Sequence, residues 1–557
     1  MSFLNHFPNT HVPREQQKKL ISDIESMIKS GYKNILICAP TGIGKSHVAA
    51  TVARSLGSSI VITAQKILQD QYVKDFSWLR SIKGKSNFPC LSLYVPTNVN
   101  YVDAMKVKSV LCDKGDCSWT ENDNSGNKKI VYCKYKPTID QFICHEKGKE
   151  NENISLPDDK CHYYLQKYAG LLSSHTIFNY SSFFQTKKFD HGIESYLKRS
   201  CLIADEAHEI EDQLLNFIGF ELGKAYFDDL QMPFPNTPIA EPKLMVSTLT
   251  ELYEKYSNFV NKLEESKSNE KIVIYKNRLQ KLDQIKSQFE LNFDNFIIEH
   301  KMDLSGKING YSIKPLEIRD YVEQFFNYDI QLFMSATLHK QMFCNMMGFI
   351  EDETSFIEIE KSPFPVENRT IKFLNVASLS GMPSQDKLNG VYKVIDGLMR
   401  THLEEKGLIL TSSKKSCEQI FLNLSEESSL RLSILHSDTE DQKEQILSEH
   451  EKQNDDVLLS PSLWYGVDLK NDLSRFQIIV KTPYPTLSDK RVKAKLLQNP
   501  TWYKYVTLVK LLQGFGRSIR SETDHAVTYV IDSEALKLIN EMKEYVPKSY
   551  HDVLHWN

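Results

Sequence analysis

Short apolar runs along the chain predict buried β-strands. Four such runs occur in the first 340 residues, at 34–39, 59–64, 200–207 and 330–337. Each run is continuous rather than alternating and is followed by polar or helical sequence, which is typical of a parallel sheet covered on both faces. The same pattern returns in the last third of the chain, at 407–413, 456–462, 476–483 and 526–532. The pattern therefore predicts two α/β sheets in one chain.

Two longer segments interrupt the first predicted sheet. Residues 85–165 combine six cysteines with polar sequence. Residues 213–325 are different, because apolar residues recur at three- and four-residue steps in 243–265 and 273–300. That spacing predicts long amphipathic helices.

Composition and charge restrict the class of protein. The chain has 557 residues, 41% hydrophobic and 25% charged, and this length suggests roughly three to four globular domains. The net charge of −4 gives no overall basic field for nucleic acid, although a local basic groove fits a neutral chain. No apolar run approaches the ~20 residues that cross a bilayer, and the N-terminus lacks an apolar signal core. We therefore expect a cytoplasmic protein without membrane association, in which clustered cysteines favour metal or cluster binding over disulfides.

Residues 39–46, with the sequence APTGIGKS, fit the phosphate-binding pattern A/G-x-x-x-x-G-K-S/T. The segment follows a predicted strand and opens a helical stretch, as that pattern requires. The predicted nucleotide-binding residues of this loop are Pro40, Thr41, Gly42, Ile43, Gly44, Lys45 and Ser46. Lys45 would reach the β- and γ-phosphates, and Ser46 would ligate Mg²⁺.

An acidic pair ends the third predicted strand. Within LIADEAH (202–208), the carboxylate of Asp205 could hold the Mg²⁺ shell, and Glu206 could orient or deprotonate the attacking water. Together with the phosphate-binding loop, this pair predicts a nucleoside triphosphate hydrolase that uses Mg²⁺.

Further segments specify the kind of hydrolase. They are PREQQ (13–17), TAQKILQDQY (63–72), DEAH (205–208), SAT (335–337), SPFPVENR (362–369), LWYGVDL (463–469), KTPYP (481–485) and QGFGRSIR (513–520). In identity and order, these segments resemble the motifs of the XPD/DinG-type, Rad3-related DNA helicases of superfamily 2. The resemblance covers nearly the whole chain.

This resemblance implies an α/β fold with two RecA-like P-loop motor domains, the first interrupted by a cysteine-rich iron–sulfur domain and a helical arch-like insertion. The implied division is motor domain 1 in three parts (1–84, 166–212 and 326–375), the iron–sulfur domain (85–165), the arch (213–325) and motor domain 2 (376–557).

The second motor is expected to complete the nucleotide site. The guanidinium groups of Arg517 and Arg520 suit phosphate, and they could reach the γ-phosphate only when the two domains close. The resemblance adds Gln513 as a catalytic residue and Gly466 and Asp468 as nucleotide-binding residues. The alternative for the two arginines is an exposed helix face.

In the XPD/DinG family, four cysteines hold a 4Fe–4S cluster between the second and third of these conserved segments. The resemblance implies that the ligands here are Cys90, Cys112, Cys133 and Cys161, with Cys117 as the substitute for Cys112 and Cys144 left over. His162 stands where the family usually has proline. Four thiolates also suit zinc, so zinc remains an alternative.

The implied function is an ATP-dependent DNA helicase that moves 5′ to 3′ on single-stranded DNA and unwinds forked or 5′-tailed duplexes in repair or replication. We expect a monomer, nucleoid-associated if the host is prokaryotic. One alternative is a DNA-stimulated ATPase that scans or remodels DNA without processive unwinding. A second alternative, an RNA helicase of the DEAH class, does not account for the cysteines.

Single-strand grooves combine positive charge with aromatic platforms. The candidate residues for such a groove are Lys83, Lys85, Tyr132, Lys134, Tyr135, Lys136, Tyr163, Tyr164, Tyr168, Trp464 and Tyr465. For each aromatic ring, packing in the core is an equally valid interpretation.

Overall fold

The computed structural model describes residues 2–93, 107–122, 128–139, 160–189, 192–235, 237–239, 241–266, 272–303, 305–435, 440–464, 469 and 471–554. In these residues, two parallel sheets and two smaller antiparallel sheets organise the chain. None of the helices in the described part of the chain is both long and apolar enough to span a membrane.

The first sheet has seven parallel strands. They are β1 (Asn34–Cys38), β2 (Ser59–Thr63), β3 (Arg80–Ile82), β6 (His175–Asn179), β7 (Cys201–Asp205), β11 (Ile330–Ser335) and β12 (Thr354–Glu358). Their spatial order is β12-β1-β11-β7-β2-β6-β3. The four strands that the apolar runs predict form the centre of the sheet, where almost every residue is buried.

The register of this sheet positions the site. Cys38 pairs with Ser335, and Met334 pairs with Asp205. Because the strands are parallel, their carboxyl ends lie at one edge. The phosphate-binding loop, the acidic pair and the SAT segment therefore meet there.

The second sheet has six parallel strands in the order β13-β18-β17-β14-β16-β15. They are β13 (Ile371–Ala377), β14 (Gly407–Leu410), β15 (Leu432–Ile434), β16 (Val457–Ser460), β17 (Phe476–Ile479) and β18 (Val527–Asp532). We call the units built on the two parallel sheets the first and second α/β domains. The predicted fold of two α/β units is confirmed.

Helices cover both parallel sheets. In the chain up to β12 they are α1 (Glu15–Lys29), α2 (Lys45–Ser55), α3 (Lys66–Asp75), α4 (His162–Leu172), α5 (Tyr180–Phe189), α6 (Ile210–Ile218), α7 (Ala225–Asp228), α8 (Pro242–Ser266), α9 (Ile272–Leu291), α10 (Arg319–Val322) and α11 (Lys340–Met347). In the second α/β domain they are α12 (Gln385–Thr401), α13 (Lys414–Asn423), α14 (Glu426–Ser429), α15 (Glu440–Lys452), α16 (Lys490–Gln498), α17 (Pro500–Phe515) and α18 (Ser533–Glu541).

The cysteine-rich insertion lies between β3 and α4. Its described part contains an antiparallel hairpin of β4 (Ser118–Asn122) and β5 (Lys128–Tyr132). Cys90, Cys112 and Cys161 belong to the same hydrophobic core as residues on one face of the first sheet. The insertion is therefore packed onto the first α/β domain.

The second insertion lies between β7 and β11 and is only partly helical. The two predicted helices are present as α8 and α9, and they pack on each other, but the prediction of helix over 273–300 is wrong beyond Leu291. Residues Phe296–Met302 form β9, which joins β8 (Phe220–Gly223) and β10 (Ile308–Pro315) in an antiparallel sheet. Phe296 and Ile298 are buried two residues apart, which is the period of a strand rather than a helix.

Candidate active site

The phosphate-binding loop requires glycine at two positions. Gly42 and Gly44 have φ of +85° and +81°, in the left-handed region that glycine adopts most easily. A Cβ on Gly42 would also lie 2.0 Å from the ring of Phe364, too close for any side chain. Lys45 opens α2, and its Nζ donates to the carbonyl of Ala39 at 3.2 Å. The amide groups of this helix start face the loop, which is the arrangement that binds phosphate.

Two residues of the PREQQ segment support the loop from outside. The Arg14 guanidinium donates to the carbonyl of Gly42 at 3.0 Å. The Gln17 side-chain amide approaches the carbonyl of Gly44 at 3.5 Å and would contact a Cβ on that glycine. The sequence analysis identified the PREQQ segment but predicted no site residue in it.

The acidic pair lies at the end of β7. Asp205 accepts a hydrogen bond from the Tyr72 hydroxyl at 2.8 Å, and burial together with the charge of Glu206 raises the pKa of Asp205 to about 6. Burial opposes ionisation of Glu206 as well. A hydrogen bond with His208 and the charges of Lys45 and Arg517 outweigh that effect and lower the pKa of Glu206 to about 2. A divalent cation at this edge would stabilise both carboxylates.

A chain of hydrogen bonds leads from the acidic pair to the second α/β domain. His208 Nδ1 lies 2.8 Å from the Ser335 hydroxyl, within the SAT segment. Two residues further on, the Thr337 hydroxyl accepts from the Gln513 side-chain amide at 2.9 Å. His208, Ser335 and Thr337 lie in segments that the sequence analysis singled out, yet their contacts depend on the fold.

The two arginines follow the end of α17, so the alternative of an exposed helix face is wrong. Arg517 is buried, and its Nε donates to the Gln513 carbonyl at 3.1 Å. The backbone amide of Arg520 donates to the Asp524 carboxylate at 3.2 Å. A Cβ on Gly516 would lie 4.0 Å from the Thr41 hydroxyl, so this turn faces the phosphate-binding loop. The other predicted nucleotide-binding residues of this domain, Gly466 and Asp468, lie outside the described residues.

Five cysteines line one cavity in the first insertion, namely Cys90, Cys112, Cys117, Cys133 and Cys161. All four predicted ligands are among them, together with the substitute Cys117. Cys144 lies outside the described residues.

Backbone hydrogen bonds hold these cysteines from four different segments. The amide of Cys90 donates to the Val110 carbonyl at 2.7 Å, and the amide of Cys112 donates to the Phe88 carbonyl at 2.8 Å. The amide of Cys133 donates to the Cys117 carbonyl at 3.1 Å, and that of Cys161 to the Tyr135 carbonyl at 2.8 Å. These backbone hydrogen bonds therefore fix the cysteines of separate chain segments around one cavity.

The thiols also influence one another. The contact with Cys112 lowers the pKa values of Cys90 and Cys161. The same two neighbours and burial raise the pKa of Cys112, and burial raises the pKa of Cys133. Thiolates are the form that binds metal. The Cys112 and Cys161 sulfur atoms are 3.9 Å apart, and a Cβ on Gly115 would lie 2.4 Å from the Cys90 sulfur. Within the described ranges, no three His, Cys, Asp or Glu side chains are arranged to hold a single metal ion.

Most candidate aromatic residues for DNA are packed in the core. Tyr163, Tyr164 and Tyr168 are at most 9% exposed, and the Trp464 indole donates to the Thr411 carbonyl at 2.9 Å in a buried position. The hypothesis that these rings stack on bases is therefore wrong for this conformation.

Tyr132 is different, because it is 54% exposed and the ammonium of Lys136 lies 4.3 Å from its ring centre. The same ammonium lies 4.8 Å from the ring of Tyr164 beside the cysteine cavity. Tyr465 lies outside the described residues.

Two family models match the chain. Residues 10–232 match "Type III restriction enzyme, res subunit", and residues 398–552 match "Helicase C-terminal domain". No curated protein matched the sequence.

Three solved structures superpose over almost the full length. "XPD_Helicase" gives a TM-score of 0.61 at 15% identity, covering 95% of this chain and 98% of that one. "XPD_APO" gives 0.58 at 15% identity, covering 97% and 99%. "Structure of S. tokodaii Xpd4" gives 0.55 at 13% identity, covering 95% and 98%.

The matched domains and the nucleotide-site geometry define a class, the ATP-dependent helicases with two RecA-like domains. Within that class, the chain has the architecture of the XPD helicase structures, and the resemblance inferred from the motifs is confirmed at the level of the fold.

Proposed function

We propose that this protein is a DNA helicase that uses ATP to move 5′ to 3′ along single-stranded DNA and unwinds forked or 5′-tailed duplexes. It works as a monomer in the cytoplasm, in repair or replication. The proposal rests on the nucleotide site and on the cysteine-lined cavity, taken together with the resemblance to XPD/DinG-type helicases.

The observation that carries the proposal is the convergence of the two α/β domains on Glu206. Lys45 comes from the first domain and Arg517 from the second. The turn before Arg517 faces the loop, since a Cβ on Gly516 would lie 4.0 Å from the Thr41 hydroxyl, and both charges lower the pKa of the Glu206 carboxylate. ATP between them would draw the domains together, and loss of the γ-phosphate would release them. A closing and opening cycle of this kind can step along a strand.

The residues at the phosphates take separate parts in hydrolysis. The loop amides and Lys45 bind the phosphates, while Ser46 and Asp205 hold Mg²⁺. Glu206, next to Asp205, orients or deprotonates the attacking water. Gln513, Arg517 and Arg520 stabilise charge on the γ-phosphate.

The cysteine cavity fits an iron–sulfur cluster. We assign Cys90, Cys112, Cys133 and Cys161 as the ligands of a 4Fe–4S cluster, with Cys117 as the alternative to Cys112. Five thiols line the cavity. Because four thiolates suit an iron–sulfur cluster and zinc alike, the choice of the cluster rests on the resemblance to XPD/DinG-type helicases. The cluster would stabilise this insertion, because its binding energy contributes to folding.

A contact between the two insertions supports a closed path for the DNA strand. Lys276 on α9 lies 2.9 Å from Asp116, next to Cys117, and 2.9 Å from Glu264 on α8. Its ammonium also donates to the Ser118 carbonyl at 2.7 Å. The two insertions therefore touch each other, and Tyr132 and Lys136 provide an exposed aromatic ring with a cation beside it.

Strand displacement tests the function. Purified protein with ATP and Mg²⁺ should release the strand of a 5′-tailed duplex and leave a 3′-tailed duplex intact. ATP hydrolysis on single-stranded DNA without release would support the scanning ATPase instead. Equal stimulation by RNA and DNA would favour the RNA helicase.

The cluster has its own test. Protein purified without oxygen should show a broad visible absorption band together with iron and sulfide. A colourless protein with stoichiometric zinc would refute the cluster and leave the ATPase assignment standing.

A further inference from the structure

Helix α17 contacts the first α/β domain through the turn that follows β11. Gln513, near the end of this helix, donates to the Thr337 hydroxyl. Tyr505 precedes Gln513 by eight residues, just over two helical turns, and its hydroxyl also bonds to Thr337. Both therefore face the turn formed by residues 337–339.

The Tyr505 hydroxyl binds the backbone of this turn at two points. It donates to the Thr337 carbonyl at 3.4 Å and accepts from the His339 amide at 3.2 Å. The His339 ring packs against Tyr545 of the second domain with ring centres 4.6 Å apart, and Tyr545 lies 6.1 Å from Tyr505. The Tyr505 hydroxyl therefore makes two hydrogen bonds to the backbone of the first α/β domain, one as donor and one as acceptor.

The other end of this turn reaches the acidic pair. Ser335, two residues before Thr337, lies 2.8 Å from His208 Nδ1, and the same nitrogen lies 3.3 Å from the Glu206 carboxylate. A shift of residues 335–339 by the length of a hydrogen bond would therefore move His208 relative to Glu206. Since α17 also carries Gln513 and ends just before Arg517, both sides of the phosphate site are linked through this helix.

We propose that Tyr505 is a positioning residue for ATP hydrolysis. Its hydroxyl holds the 337–339 turn against α17, so that closure of the two domains brings Ser335, His208 and Glu206 into the arrangement that hydrolysis needs. This inference rests on the proposed ATPase function. Burial raises the pKa of the Tyr505 hydroxyl, so the group remains a donor at neutral pH.

The substitution Tyr505→Phe tests the proposal because it removes one oxygen and keeps the ring. Tyr503→Phe is the matched control. Tyr503 lies on the same helix, and its hydroxyl donates to the Pro485 carbonyl at 2.9 Å, within the second domain. Each variant loses the hydrogen bonds of one partly buried hydroxyl, so we expect comparable losses in thermal stability.

In DNA-stimulated ATP hydrolysis, we expect Tyr505→Phe to lower kcat by about fivefold to tenfold, the kinetic equivalent of one hydrogen bond. The KM for ATP should stay within about twofold, since the hydroxyl bonds to the backbone of Thr337 and His339 and to none of the predicted nucleotide-binding residues that the structure describes. Tyr503→Phe should keep kcat within about twofold of the wild-type value.

A second variant separates positioning from general packing. If Tyr505 acts through Ser335, then Tyr505→Phe should have little further effect on kcat in the background of Ser335→Ala. Fold-losses that simply multiply in the double variant would overturn the proposal. So would an unchanged kcat in Tyr505→Phe, or an equal loss in Tyr503→Phe. Wild-type protein without DNA-stimulated ATPase activity would instead refute the proposed function, and this inference with it.

Discussion

A buried carboxylate joins the two α/β domains at a distance from the nucleotide. Glu211 on α6 accepts from Arg491 at 2.6 Å, from Lys495 at 2.8 Å and from the Trp502 indole at 3.1 Å. The three donors belong to the second domain, and the side chains of both cations and of Glu211 are at most 9% exposed. We predict that Glu211→Gln severely weakens the contact between the domains.

The magnitude follows from two independent estimates. Burial opposes ionisation of Glu211, yet the charges of Lys495 and Arg491 outweigh it and lower the pKa from 4.5 to about 2. That difference corresponds to about 3 kcal/mol of stability. Removing one partner of a buried ion pair costs about 3–5 kcal/mol, because the remaining charges stay buried. We therefore expect a loss of about 3 kcal/mol in the free energy of unfolding.

Urea unfolding followed by circular dichroism measures this loss. The control is Glu541→Gln, whose partner Lys504 lies 2.8 Å away with both side chains at least 40% exposed, a pair worth about 0–1 kcal/mol. The lowered pKa of Glu211 also makes its contribution to stability depend on pH. Because the folded pKa lies below the unfolded value, the contribution is complete above about pH 4.5 and is lost as the pH falls toward about 2. A Glu211→Gln variant as stable as the control variant would refute the argument.

Three further predictions concern the loops and the cluster. Lys45→Ala and Glu206→Gln should each abolish ATP turnover, and turnover at the wild-type rate in either would contradict the site assignment. Gly42→Ala should raise the KM for ATP and lower the free energy of unfolding by about 1–2 kcal/mol or more, because φ at this position is +85° and the new Cβ would meet the Phe364 ring. An unchanged KM together with unchanged stability would contradict this prediction. Cys161→Ser should remove the visible absorption and reduce strand displacement more than ATP hydrolysis, whereas equal loss of both activities would argue against a separate unwinding element.

The sequence predicted the centres of both parallel sheets but not their edges. Continuous apolar runs identify strands buried on both faces, and all eight such runs are strands. The edge strands β3, β12, β13 and β15 were missed because they are partly exposed and polar residues interrupt their short apolar stretches. β6 was missed because its apolar core is brief and lies between two helices.

The composition of the site was predictable, whereas its long-range contacts were not. The glycines at 42 and 44 follow from a local pattern, and so does the acidic pair. By contrast, the packing of Phe364 on Gly42 joins residues more than 300 positions apart, and local spacing carries no sign of it. For the aromatic residues after Cys161, the sequence pattern fitted both DNA stacking and core packing, and their burial in the structure favours core packing.

The contacts of α17 restrict how the two α/β domains can move. Trp502 binds Glu211 near the start of this helix, Tyr505 binds the 337–339 turn, and Gln513 binds Thr337 near its end. A helix of 16 residues is about 24 Å long and moves as a unit, so these contacts form one line along the interface. Of the three, the Glu211 cluster is the most deeply buried and the costliest to break. Opening of the nucleotide cleft should therefore proceed as a rotation about the Trp502 end, in which the Gln513 and Tyr505 contacts loosen before that of Trp502.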